Sequence, residues 1–470
     1  MSFVQPAFPV FLAIVFGGYW ALRHVRAQNL WLVVASAVFY GWVHPWFLLL
    51  MGGSAILDFT LGLWLRQRPE WSRVAVAISV AANLSLLAYF KYAGFFAANM
   101  TAALHALGVP VDLDVVQLVL PVGISFYTFQ TMGYTIDVAR GELEPRTRFV
   151  DYLLYVSFFA QLVAGPIERA GRLLPQIEAP RTWSVDRVRE GLALALWGGF
   201  KKLVVANSLA PYVDKVFVLE DPAPVLVWAA SFAFMIQIYA DFSGYTDIAR
   251  GSARLLGFDL SLNFREPFLA RTTIEFWQRW HMSLSTWLRD YLLGPLVGDD
   301  GAGRLRFAAA TLATFVLIGF WHGPSWNFVL FGLFHGTLVI AYGLVARRLP
   351  PRGDRPWVDA GLILFHLGFV GLVGSLLFRE TRIERLLNVF SSWPWMGNAD
   401  DVIAATVIVA VTGVACVPLI AQWLVVTRLV PRIEASPWLL PIQTTTWAAL
   451  IAAMFLFYRT TLQDFVYFQF

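Results

Sequence analysis

FAAATLATFVLIGFWHGPSWNFVLFGLFHGTLVIAYGLV, Phe307 to Val345, is two apolar stretches joined by one polar break, His322-Gly323-Pro324-Ser325. The stretches, Phe307–Trp321 and Trp326–Val345, approach or reach the roughly 20 residues that a helix needs to cross the hydrocarbon core of a bilayer. Pro324 disfavours helical geometry at Gly323, so the first helix is expected to stop at about His322, leaving its last carbonyls without intrahelical partners. Backbone broken at membrane depth is tolerated only where it is buried in protein or lines a wet cavity. The break therefore predicts a polar hole inside a bundle of membrane helices, with His322 at its edge.

The rest of the chain repeats the theme. Hydrophobic residues make up 58% of 470 and charged residues 14%, against about 45–50% and about 25% in an average soluble domain. Apolar runs recur at Phe11–Leu22, Leu30–Leu57, Arg73–Phe90, Leu118–Ile136, Tyr152–Ile167, Val225–Tyr245, Ala360–Phe378, Val402–Val426 and Trp438–Tyr458. Leu30–Leu57 is long enough for one span and part of another. The expected fold is all-α, a polytopic integral membrane protein of about eleven transmembrane helices plus short re-entrant or interfacial helices. No polar stretch is long enough for a soluble domain, so residues 1–470 read as a single transmembrane domain. The first run lacks a basic lead and a cleavage pattern and is expected to remain as a helix. Arg23, His24 and Arg26 follow it, which favours an inside first loop.

The formal net charge of +4 is spread among loops; it fits contact with lipid headgroups and not nucleic acid, since no single basic face appears. There is no glycine-rich phosphate loop, no Cys-x-x-Cys and no His-x-x-x-His, so nucleotide hydrolysis and a metal site are unsupported. The one cysteine, Cys416, reads as a small core residue. No internal repeat is evident, which weighs against transporter folds built by duplication.

His322 is the first candidate for proton transfer, because ionisable groups in membrane segments are costly and usually functional. His281 is the second. Read at 100° per residue, Thr273 to Leu293 forms one amphipathic helix with His281 on a greasy stripe among Ile274, Trp277, Gln278, Leu284, Ser285, Leu288 and Leu292. Lost hydration there keeps the imidazole neutral. His335 lies on the helix after the break, in a packing or supporting position. In YADFSGYTDIARGSARLLGF, Asp241, Tyr245 and Asp247 enter where the hydrocarbon boundary should fall, with Arg250 and Arg254 following. Charge pairing at an interface explains them, and substrate positioning by Asp241 or Tyr245 is the sharper reading.

The stretches YFKYAGFF at Tyr89–Phe96, LPVGISFYTFQTMGYTIDVARGE at Leu120–Glu142, QLVAGPIERA at Gln161–Ala170, GGFKKLVVAN at Gly198–Asn207, NFREPFLART, EFWQRWHMSLSTWLRDYLL, FWHGPSWNFVLFGLFHG and the terminal FVYFQF together resemble the membrane-bound O-acyltransferase (MBOAT) family. The resemblance points to its bacterial branch of alginate O-acetylation and teichoic-acid D-alanyl transfer. It implies that His322 matches the family's essential histidine and His281 its second active-site histidine, both approaching a tunnel where a cytoplasmic donor meets an acceptor from the other side. Asp241, Tyr245, Ser285, Trp321, Asn327 and His335 are the candidates for substrate binding or support. No cofactor and no metal are expected; the co-substrate would be an acyl thioester, acetyl-CoA or an acyl-carrier protein. The implied partners are a periplasmic esterase-like acyltransferase, a polysaccharide acceptor and membrane lipid. The chain departs from the alginate-type pattern after Leu293: a Gly-Gly-Asn-Arg turn is replaced by GPLVGDDGAGR, with Asp299 and Asp300, which bears on the donor.

The expected function is thus an inner-membrane acyltransferase, most of all an O-acetyltransferase acting on an exported polysaccharide. D-alanyl transfer to a teichoic-acid-like polymer is the alternative within the class. A transporter or a non-catalytic scaffold of an export complex are the alternatives outside it.

Overall fold

The computed structural model describes residues 1–113, 119–163, 165–298, 303–346, 356–429, 439–458 and 465–466. The Asp299-Asp300 turn and most of the terminal FVYFQF lie outside the described residues. Among these residues the secondary structure is helical throughout, with no strand. Among the described residues, nine helical segments are long and apolar enough to cross a membrane, and two shorter apolar ones, Ala7–Ala21 and Phe149–Leu162, accompany them. The Leu30–Leu57 run divides at Trp42–Trp46 into the helices Val25–Gly41 and Phe47–Gln67.

The chain forms two compact units. The first comprises Met1–Leu192, Ala249–Leu262 and Thr286–Pro295. Its helices are held by buried polar groups, each of which must find a partner where water is absent. Asp58 accepts hydrogen bonds from Ser79, from Asn83 Nδ2 at 2.8 Å and from Thr135 Oγ1 at 2.6 Å. Asn29 Nδ2 donates to Asp151 at 2.8 Å, and Arg181 ties Asn29 to the Tyr19 hydroxyl. Trp287 stacks on Phe129 at 4.1 Å and donates its indole N–H to the Phe129 carbonyl at 3.0 Å.

The second unit comprises Ala193–Ile248, Asn263–Ser285 and Leu296–Phe470. Here Gly198 and Gly244 let two helices touch backbone to backbone: a Cβ on Gly198 would sit 2.5 Å from the Gly244 carbonyl oxygen, and one on Gly244 2.8 Å from that of Gly198. Close approach aligns two buried ion pairs. Lys201 Nζ meets Asp247 Oδ2 at 2.6 Å, and Lys202 Nζ meets Asp241 Oδ1 at 2.5 Å. The polar residues read as a boundary insertion are therefore interior. The Pro224–Leu255 helix runs unbroken through them for 32 residues, and the lysines of GGFKK pair with Asp241 and Asp247.

The Phe307–Val345 stretch folds as a tight helical hairpin. Its first helix is Arg304–His322, 19 residues, and its second Trp326–Ala346, 21 residues. The helix ends at the residue expected, with Gly323 extended at φ −165°, ψ 153°. The glycines serve contact rather than unusual dihedral angles: a Cβ on Gly319 would meet the Phe328 carbonyl oxygen, and one on Gly323 the Phe328 ring.

Candidate functional site

The second unit holds a cavity of about 50 Å³ lined by aromatic rings and two imidazoles, His322 and His335. A water needs only about 10–15 Å³ of such space, so the cavity has room for a few waters or a group of similar size. Besides His322 and Phe268, the wall is drawn from Phe234, Met235 and Ile238 of one span; Phe276, Trp277 and Trp280; Phe331 beside His335; and residues between Val370 and Phe378 of a further span. Such a wall keeps the local dielectric low and strengthens any polar interaction made inside it.

His322 is 4% exposed and is the last residue of its helix. Its ring lies against Phe378 at 5.0 Å and Trp321 at 5.1 Å, with Phe331 at 6.0 Å. Asn327 fixes one of those neighbours by donating from Nδ2 to the carbonyls of Leu377 at 2.9 Å and Phe378 at 3.4 Å. It therefore positions the Phe378 ring that abuts His322. His335 is 3% exposed, with Phe331 at 4.5 Å, Trp277 edge-on at 5.2 Å and Phe276 parallel at 6.2 Å.

The single amphipathic helix expected over Thr273 to Leu293 does not form. One helix, Thr273–Trp277, starts at a Thr272 cap whose hydroxyl accepts from Glu275 N–H at 3.0 Å. A second, Met282–Leu288, begins after His281, which takes a left-handed φ of 43°. Such a conformation costs a non-glycine residue about 1–3 kcal/mol and persists only where the surroundings impose it. They do so through Asn263: its backbone carbonyl accepts from Met282 N–H at 2.9 Å, and its side-chain oxygen accepts from the Ser283 hydroxyl at 2.6 Å. Periodicity within 273–293 carries no sign of a partner at 263.

The break changes where the side chains go. Trp277 and Trp280 line the cavity, whereas His281 is not among the lining residues and lies beside Phe242, 4.7 Å, and Trp321, 6.1 Å. The Trp321 ring thus touches both His281 and His322. His281 Nδ1 accepts from Leu284 N–H at 3.3 Å, which in the neutral ring leaves the proton on Nε2. Burial pushes the His281 pKa down to about 3, so the ring is neutral at ordinary pH.

The other candidates sit away from the cavity wall. Asp241 is buried in its pair with Lys202 and accepts from Val466 N–H at 2.7 Å, fastening the C-terminal segment. Tyr245 packs on Phe465 at 4.7 Å. Ser285 donates to the Trp280 carbonyl at 3.2 Å, bracing the turn. One residue went unremarked in the sequence: His366, 4% exposed and 5.1 Å from the Phe276 ring. An ionisable side chain inside the Ala360–Phe378 run was the available signal.

A bundle of membrane-spanning helices with imidazoles around an aromatic-walled cavity has the architecture of an integral-membrane enzyme. The description "MBOAT, membrane-bound O-acyltransferase family" matches residues 139–365. A probable alginate O-acetylase of Azotobacter vinelandii is 36% identical over 389 residues, 82% of this chain and 76% of that protein. A peptidoglycan O-acetyltransferase of Helicobacter pylori is 32% identical over 419 residues, 81% and 77% of the two chains. A teichoic acid D-alanyltransferase of Streptococcus thermophilus is 28% identical over 247 residues, 50% and 59%. The chain belongs to the membrane-bound O-acyltransferase family, and it is a multi-pass membrane acyltransferase.

Proposed function

We propose that the protein moves an acetyl group from a cytoplasmic thioester donor, acetyl-CoA or an acyl-carrier protein, across the bacterial inner membrane to hydroxyls of an exported polysaccharide, directly or through a periplasmic esterase-like partner. The observation that carries this reading is His322, buried at the broken end of its helix and lining an aromatic-walled cavity in a membrane acyltransferase. In the reaction His322 takes the hydroxyl proton as the oxygen attacks the thioester carbonyl carbon; the carbon–sulfur bond breaks, and the thiolate leaves with that proton. General-base assistance of this kind contributes about 10²–10⁴-fold, and orientation within the aromatic-walled site supplies further rate. His281, neutral and off the cavity wall, packs on the Trp321 ring that also touches His322, and so positions the base.

The alginate and peptidoglycan O-acetylating relatives favour an acetyl group and a glycan acceptor. D-alanyl transfer is the second reading, on the strength of the teichoic acid relative. Mass analysis of every exported glycan in cells with and without the gene tests the proposal. Loss of O-acetyl from one polymer is expected. Loss of D-alanyl esters instead selects the second reading, and unchanged acylation throughout overturns both.

A further inference from the structure

The mechanism above uses two imidazoles, and the cavity presents one that it leaves idle. His335 is 3% exposed and lines the same cavity as His322, from the opposite arm of the hairpin. Among the described residues its Nδ1 has no hydrogen-bond partner. Leaving a buried polar atom unsatisfied costs about 1–3 kcal/mol, so each such atom calls for a reason, and a polar guest in the adjoining cavity is one. Packing alone accounts poorly for the residue. Its neighbours Phe331, Phe276 and Trp277 form an aromatic sleeve that a phenylalanine would fill without the polar penalty.

The position of the ring is also set with care. A Cβ on Gly374 would lie 2.8 Å from His335 Nε2, so the imidazole occupies space that only glycine leaves open. The Phe331 ring, touched by His322 at 6.0 Å and by His335 at 4.5 Å, spaces the two imidazoles around one chamber. Two imidazoles facing a space that admits a few water-sized groups can grip one hydroxyl between them.

We propose that His335 binds the attacking hydroxyl, donating a hydrogen bond to its oxygen while His322 removes its proton. No bond to His335 forms or breaks. The donated hydrogen bond and the proton accepted by His322 fix the hydroxyl oxygen with one lone pair free for the carbonyl carbon, so loss of the donor misplaces the nucleophile. This rests on the acyl-transfer reading of the cavity, with His322 as base.

The test compares His335→Phe, which keeps the volume and loses the donor, with His335→Gln, which keeps an N–H donor. Gly374→Ala, which displaces the imidazole without replacing it, is the third variant. O-acetyl content of the exported glycan is measured in cells at matched membrane abundance, with gel filtration in detergent reporting the folded amount. The expected results are a 10- to 100-fold loss for His335→Phe, recovery to within about tenfold of wild type for His335→Gln, and a loss for Gly374→Ala. If His335→Phe does not accumulate, His335→Leu takes its place with the same expectation. Wild-type acetylation in the donor-less variant, with His322→Gln inactive, overturns the role of His335 and leaves the proposed function standing. Equal losses in the Phe and Gln variants also overturn it. Activity retained in His322→Gln overturns the underlying reading instead.

Discussion

Replacing Asp241 by Asn separates a structural carboxylate from a substrate-positioning one. Asn keeps the shape and an oxygen for the Val466 N–H, but it leaves the Lys202 ammonium, 1% exposed, without the carboxylate now 2.5 Å away. Breaking a buried pair in this way costs about 3–5 kcal/mol, because one charge remains in a medium that solvates it poorly. At 1.4 kcal/mol per decade the unfolded fraction rises roughly 10²–10⁴-fold. The double variant Lys202→Met/Asp241→Leu removes both charges and is expected to recover most of that loss, since replacing a buried pair by apolar residues of similar volume is often near neutral. Thermal unfolding in detergent, read by fluorescence-detected gel filtration, gives the stability; glycan acetylation normalised to folded protein gives the activity. The reasoning fails if Asp241→Asn unfolds at the wild-type temperature, or if the double variant folds as well as wild type and yet transfers no acetyl group.

Two further outcomes follow from the geometry. Gly319→Ala drives a methyl group into the Phe328 carbonyl oxygen, backbone that cannot rotate away, and should cost about 1–3 kcal/mol while displacing His322; unaltered melting temperature and activity would show that the hairpin is looser than described. Burial holds the His281 pKa near 3 against 6.5 unfolded, so its contribution to stability is complete above about pH 6.5 and declines as the pH falls from there toward 3, by about 1.4 kcal/mol per unit. The melting temperature of wild type should therefore fall more between pH 7.5 and pH 5 than that of His281→Gln, and parallel losses in the two proteins would refute it.

Much of the fold was legible because the bilayer enforces a simple rule, long apolar helices with no backbone polar group unsatisfied. The end of the Arg304–His322 helix was legible for a local reason, the proline two residues on. What escaped was set by partners distant in the chain. The turn at His281 depends on Asn263, and the burial of Asp241 depends on Lys202, 39 positions earlier by sequence number. Periodicity sees neither, so His281 was placed on a helix face with Trp277 when the two side chains diverge. His335 was visible as a histidine on an apolar helix, but its place on the cavity wall beside His322 required the hairpin to close through Gly319 and Gly323.

The most direct measurement is the O-acetyl content of the exported glycan in cells whose only copy of the gene encodes His322→Gln, with the protein present in the membrane at the wild-type level. If His322 is the base that starts acyl transfer, the glycan should carry as little acetyl as in cells lacking the gene. Acetylation at the wild-type level would contradict the assignment of this residue and, with it, the reading of the cavity as the reaction site.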